Sequence, residues 1–156
     1  MEDVLNVAAY LAQRYSLECG QQIDESKLHK LMYFTQKECF IQTGMFLFDA
    51  TFYGWKYGPV LKEIRSVYEN GTFISIVPQK FTRDCSLIFK KVFETYAIKD
   101  SYSLRILVMG ELSWKNSRIG ISEEKNINNP MNFQDIMADA ERIKFRRRKL
   151  KELGLI

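Results

Sequence analysis

The chain has 156 residues, 46% of them hydrophobic and 27% charged, with three cysteines, one histidine and a formal net charge of +4. That length suits one domain of the usual ~100–150 residues and excludes two full ones, and no apolar run approaches the roughly 18–20 residues of a membrane helix. Cys19, Cys39 and Cys85 are odd in number and far apart, which argues against a disulfide framework and a CxxC metal pair and predicts a reduced, cytoplasmic protein.

Val4, Ala8, Leu11 and Tyr15 recur at helical spacing and predict a helix from about Asp3 to Leu17, with Gly20 just beyond it. The acidic start, Met1-Glu2-Asp3, does not read as a secretory signal. Asp24 suits an N-cap, because its carboxylate accepts from the open amides of a first turn. The helix that follows carries Leu28, Leu31, Met32, Thr35 and Cys39 on one stripe and ends before Gly44. Lys27, Lys30 and Tyr33 lie off that stripe and read as a solvated flank.

Phe46, Phe48, Phe52, Tyr53, Trp55 and Tyr57 crowd the next stretch, interrupted by Gly44, Gly54 and Gly58. Residues 52–57 alternate with the period of a short strand, which sets Trp55 and Tyr57 on one face and Lys56 on the other. Gly58-Pro59 then predicts a helix start, since proline suits the first helical position. Val60, Ile64, Val67 and Tyr68 follow at helical spacing, and Asn70-Gly71 closes that helix. Residues 72–77 are β-branched and apolar and predict a second strand, ended by Pro78.

Phe89, Val92, Phe93 and Tyr96 predict a helix starting near Asp84. Ser101 or Ser103 is a candidate cap for another, carrying Leu104, Leu107, Val108 and Leu112. Trp114 to Asn132 is polar, holds glycine, asparagine and proline, and reads as loop. Asn132-x-x-Asp135 resembles a helix start, and the last helix runs through Ile136, Ala140 and Ile143 towards Leu150. The expected fold is mainly α: one compact domain of five to six helices, with a two-stranded ribbon made by residues 52–57 and 72–77.

Enzyme classes are hard to place on this chain. It has no Walker loop and no GxGxxG, and its glycines stand singly. Any histidine-based catalysis rests on His29, in Lys27-Leu28-His29-Lys30-Leu31, which reads as a helix-surface or half-buried residue. The carboxylates sit where caps and loops place them. No catalytic residue, metal ligand or cofactor is expected.

Three segments together resemble a known family. They are Ser26 to Gln36 (SKLHKLMYFTQ), Leu47 to Val60 (LFDATFYGWKYGPV), and Leu104 to Arg118 with Glu111 and Trp114-Lys115-Asn116-Ser117-Arg118. They are similar to the Panacea domain, also described as the SocA-like antitoxin domain or the phage-associated GepA-like family. Its pattern is a helix close to LKLQKLLYYAQ, then LFDEPFEAWRYGPV, then a helix ending in an LTHxExPWxxAR-like stretch. Order and spacing agree over roughly residues 3–140, and YGPV is the specific element. The family often has Gln at His29, Ala at Gly54 and Thr-His at Val108-Met109.

The resemblance implies a helical, non-enzymatic antitoxin that binds a protein toxin encoded nearby. Some relatives act as adaptors, so delivery of the toxin to a protease is an alternative. The resemblance also lifts Lys27, Lys30 and Tyr33 as partner-binding candidates. Trp55, Tyr57, Gly58 and Pro59 join them, since Trp and Tyr are favoured as interface hot spots, although large aromatics more often pack cores. Trp114 and Arg118, four apart, complete the set: a helix there lets Arg118 stack on the indole.

The charge is uneven. Residues 1–70 carry 7 basic and 9 acidic residues, and residues 134–156 carry 7 and 4. The densest run holds Arg142, Lys144, Arg146, Arg147, Arg148, Lys149 and Lys151 with no acid between them. It reads as a solvated helix end or, alternatively, as a nucleic-acid-binding helix of a mobile-element or phage regulator. The resemblance stops short of it, so residues 1–140 are read as the domain and 141–156 as a basic helical extension. No membrane partner is expected.

Overall fold

A computed structural model describes residues 1–71, 81 and 83–156. The described residues form a mainly α fold with a small hairpin. In order they are α1 (Val4–Cys19), α2 (Glu25–Thr43), β1 (Phe52–Trp55), β2 (Gly58–Leu61), α3 (Lys62–Glu69), α4 (Arg83–Val92), α5 (Ser101–Met109), α6 (Leu112–Ser117) and α7 (Phe133–Glu152). A π-helical turn, Phe93–Ala97, continues α4.

Helix α2 is the axle. Asp24 caps it, accepting from the Lys27 amide at 2.8 Å. Every residue from Lys27 to Cys39 is buried, because α1, α4, α5, α7 and β2 surround it. The apolar stripe supplies the core, with Leu28, Leu31 and Met32 fully enclosed. Tyr33 meets Phe34 and Phe52 edge-on, and Phe34 stacks on Tyr96 with centroids 4.0 Å apart.

The expected solvated flank does not exist. A helix ringed on every side has no solvent face, so its polar residues are buried with partners. Lys27 Nζ donates to the Lys99 carbonyl at 2.8 Å and the Tyr15 hydroxyl at 3.2 Å. Lys37 Nζ meets Glu111 Oε1 at 2.6 Å. Gln36 donates to the Phe48 carbonyl and accepts from the Leu47 amide, pinning the chain that enters β1. His29 is likewise buried, at 2% exposure, and not at the helix surface.

The ribbon pairs differently from expectation. β1 and β2 form a tight antiparallel hairpin with Trp55 opposite Gly58 and Gly54 opposite Pro59. Residues 72–77 lie outside the described residues. Pro59 therefore sits in a strand, and α3 begins at Lys62. Proline fits because its missing N–H leaves no ladder bond unmade at an edge, while the Gly54 N–H turns the other way, to the Asn129 carbonyl at 3.0 Å. Met131 N–H donates to the Phe52 carbonyl at 2.7 Å, so residues 129–131 flank the outer side of β1.

Two further expectations change. Asp100, rather than Ser101 or Ser103, caps α5, accepting from the Ser103 amide at 2.7 Å. The helix expected to carry Leu112 ends at Met109, and the loop expected from Trp114 to Asn132 begins inside helix α6, whose first amides, Leu112 and Ser113, both donate to the Asp139 carboxylate at 2.9 Å. That cap comes from α7 and leaves no local signal. Helix α7 starts at its expected cap, Asn132, and crosses residue 141 without a break.

Candidate functional site: the hairpin–helix cleft

A cleft of about 290 Å³ opens between the first turns of α2 and the hairpin. That is the low end of ligand pockets, roughly 300–1,000 Å³, and is room for one or two side chains. Trp55, Tyr57, Gly58, Pro59 and Val60 form one wall, and Glu25, Ser26, His29 and Lys30 the other, with Lys56, Arg65 and Asn126 at the rim.

The hairpin wall is shaped by glycine. Gly58 has φ +139°, a region that side chains rarely adopt, and a Cβ there would stand 3.3 Å from Lys30 Cε. The close approach lays β2 directly on the Lys30 stem. Tyr57 occupies the two-residue turn and is 47% exposed, so it is at the tip and not on the strand face expected from alternation. Arg105 lies over its ring, 4.2 Å from the centroid. Phe52 and Gly54 face the core, and Tyr53 and Trp55 are half-exposed.

The tip is held from behind. Trp55 Nε1 donates to Asn128 Oδ1 at 3.0 Å, and the Lys56 amide to Asn126 Oδ1 at 2.9 Å. Trp114 Nε1 donates to the Trp55 carbonyl at 2.8 Å. Arg118 is buried and fans its guanidinium over four carbonyls: Gly54, Ser122, Glu123 and Lys125. The expected stacking of Arg118 on Trp114 is present only at 5.9 Å, the outer limit of such contacts. Carbonyl clamping is the stronger bond, since a cation donating hydrogen bonds outweighs a distant ring. Trp114 and Arg118 thus position the hairpin without lining the cleft.

The helix wall is an i, i+4 arrangement. His29 Nδ1 accepts from the Leu61 amide at 3.1 Å, so the ring proton belongs on Nε2, which faces Glu25 Oε2 at 3.0 Å. Burial holds the His29 pKa below its ordinary value, against the pull of Glu25. Glu25 is also paired with Arg65. One turn along, Lys30 Nζ donates to Ser26 Oγ at 2.6 Å. Lys30 is 3% exposed, and burial lowers its pKa too, with Asp24 opposing and Arg105 assisting.

Of the nine sequence candidates, Lys30, Trp55, Tyr57, Gly58 and Pro59 meet at this cleft. Lys27 and Tyr33 do not. Lys27 is bonded on the α1 and α5 side, and Tyr33 is fully buried, its hydroxyl 2.8 Å from Ser113 Oγ. Neither presents a surface to a partner. Glu25, Ser26, Arg65 and Asn126 escaped the sequence reading. The pairs Glu25–His29 and Ser26–Lys30 carry a signal in their spacing, four apart on one helix. Arg65 and Asn126 arrive from distant segments and carry none.

The basic run on α7 is not one open patch. Arg147 reaches buried Glu38 at 2.9 Å, and Arg142 reaches buried Glu111 at 3.4 Å. Lys149 pairs with Glu152. Lys144, Arg146, Arg148 and Lys151 are exposed, as are the paired Arg142 and Lys149. Among the described residues, no group of three or more His, Cys, Asp or Glu is placed to hold a metal, and no helix is long and apolar enough to cross a membrane.

The family model for the antitoxin SocA-like Panacea domain matches residues 28–125. The chain belongs to that family. The Panacea match runs from the second turn of α2 through the hairpin to the Arg118 loop, so it takes in Lys30, Trp55–Val60, Trp114 and Arg118. Membership supports a role of the toxin–antitoxin type. No curated protein and no solved structure matches the chain.

Proposed function

We propose that this Panacea domain is the antitoxin of a toxin–antitoxin pair, binding a co-encoded protein toxin and neutralising it without catalysis. The family match over residues 28–125 carries the reading. The site supports it. The cleft is lined by aromatic and proline side chains, including the Trp and Tyr types favoured as interface hot spots. Its histidine has both ring nitrogens engaged within the fold, so it offers no free base to a substrate.

Co-expression with the neighbouring gene product tests this. Growth arrest by that product, relieved by this chain and accompanied by a stable complex of the two, is the expected result. Arrest that persists with this chain present overturns it. The toxin's half-life separates blocking from delivery to a protease: neutralisation by binding predicts an unchanged or longer half-life.

A further inference from the structure

The cleft carries an unbalanced charge. Glu25 faces it, but Arg65 and His29 hold that carboxylate. Lys56 at the rim has Glu124 at 3.9 Å. Lys30 differs from both. An ammonium has three donors, and Lys30 Nζ has one hydroxyl partner, Ser26 Oγ. Among the described residues it joins no ion pair. Asp24, the acid acting on it, has its carboxylate turned to the Lys27 amide. Lys30 is a buried residue, and a cation withdrawn from water is costly to keep charged unless a counter-charge arrives. Trp55, Tyr57 and Pro59 line the cleft beside it and offer apolar surface to whatever enters.

Resting on the reading of this cleft as the partner surface, we propose that it receives an acidic side chain, Asp or Glu, of the protein toxin. The carboxylate meets Lys30 Nζ, and an apolar neighbour of that acid lies against Trp55, Tyr57 and Pro59. Charge complementarity selects this occupant. A chain-terminal carboxylate is ordinarily captured by a nest of backbone amides, and on this wall Pro59 has no N–H and that of Lys56 is bonded to Asn126.

The test uses the full chain and three N-acetylated tripeptides followed by amide and indole NMR shifts. They are Leu-Glu-Leu amide, Leu-Gln-Leu amide, and Leu-Gln-Leu with a free carboxylate. The Glu peptide is expected to shift the Trp55 indole and the Lys30, Tyr57 and Gly58 amides saturably, at least tenfold more tightly than the Gln amide. Lys30→Met, with Lys30→Gln as a second variant, is expected to bind the Glu and Gln amides alike, with distant resonances unmoved. Equal binding of the two amides by the native chain, or no binding of either, overturns the proposal without reference to any variant. Preference for the free-carboxylate peptide overturns the side-chain assignment. Retention of the Glu preference in a folded Lys30 variant overturns the role of Lys30. A native chain that relieves toxin arrest but shows no Glu preference keeps the antitoxin reading and loses this one.

Discussion

His29 has two hydrogen-bonding roles that a glutamine could also fill. Nδ1 accepts from the Leu61 amide and Nε2–H faces Glu25; a glutamine side chain also supplies one acceptor and one donor. The two differ in titration. Burial lowers the folded His29 pKa below 6.5, so between those two pKa values the unfolded chain binds the proton that the folded chain refuses. The contribution is complete above pH 6.5 and is lost as pH falls through the folded pKa, with a slope of at most about 1.4 kcal/mol per pH unit. His29→Gln is expected to flatten that part of the stability–pH curve in urea melts between pH 4 and 7. A second residue whose exchange is informative is Gly54. An added Cβ would meet Ser117 Oγ at 1.9 Å and Ser117 Cβ at 2.9 Å, so Gly54→Ala is expected to cost about 1–3 kcal/mol, the usual range for overpacking. Gly54→Ala with Ser117→Gly removes the clash and is expected to recover part of the loss. Additive losses in the double variant would show that the two positions do not collide.

At the scale of elements, α6 depends on a cap from elsewhere. Asp139 of α7 accepts from the Leu112 and Ser113 amides and from the Tyr33 hydroxyl. Asp139→Ala is expected to cost about 2 kcal/mol, the upper end for a lost N-cap, and to speed hydrogen exchange at Leu112 and Ser113 more than at α7 itself. Uniform acceleration across the fold would place the loss in the core instead. This dependence explains what could be read in the sequence. Helices with local caps, α2 from Asp24 and α7 from Asn132, fall where their residues predict. Helix α6 does not, because its cap lies 27 residues away in the chain. Gly58-Pro59 reads as a helix start and instead opens β2, while the aromatic strand ahead of it was legible. Its pairing partner was not: the turn at Lys56-Tyr57 lacks the asparagine–glycine type of signal that marks a two-residue hairpin. The cleft was legible on its hairpin side, through Trp55 to Pro59. On its helix side Lys30 alone was a candidate, and its burial was hidden, since a polar helix reads as exposed unless its packing on every face is known.

Across the whole molecule, that buried polar helix is tied to its surroundings by ion pairs that span the sequence. Lys37 of α2 meets Glu111 at the start of α6, and Arg142 of α7 reaches the other oxygen of Glu111. Burial lowers the Lys37 pKa and raises that of Glu111, so enclosure acts against both charges and their attraction acts for them. Such a pair is costly to break and often cheap to replace. Lys37→Met leaves Glu111 enclosed beside an arginine that is 62% exposed; the expected loss is about 3–5 kcal/mol. Glu111 makes no side-chain cap to α6, so exchanging it as well sacrifices no helix start. Lys37→Met with Glu111→Met is therefore expected to be at least about 2 kcal/mol more stable than Lys37→Met alone in denaturant melts, because apolar replacement of a whole buried pair is often neutral. A double variant as unstable as the single would locate the loss in the packing of the Lys37 stem against Tyr33 and Phe34, whose rings lie 5.2 and 5.5 Å from its ammonium.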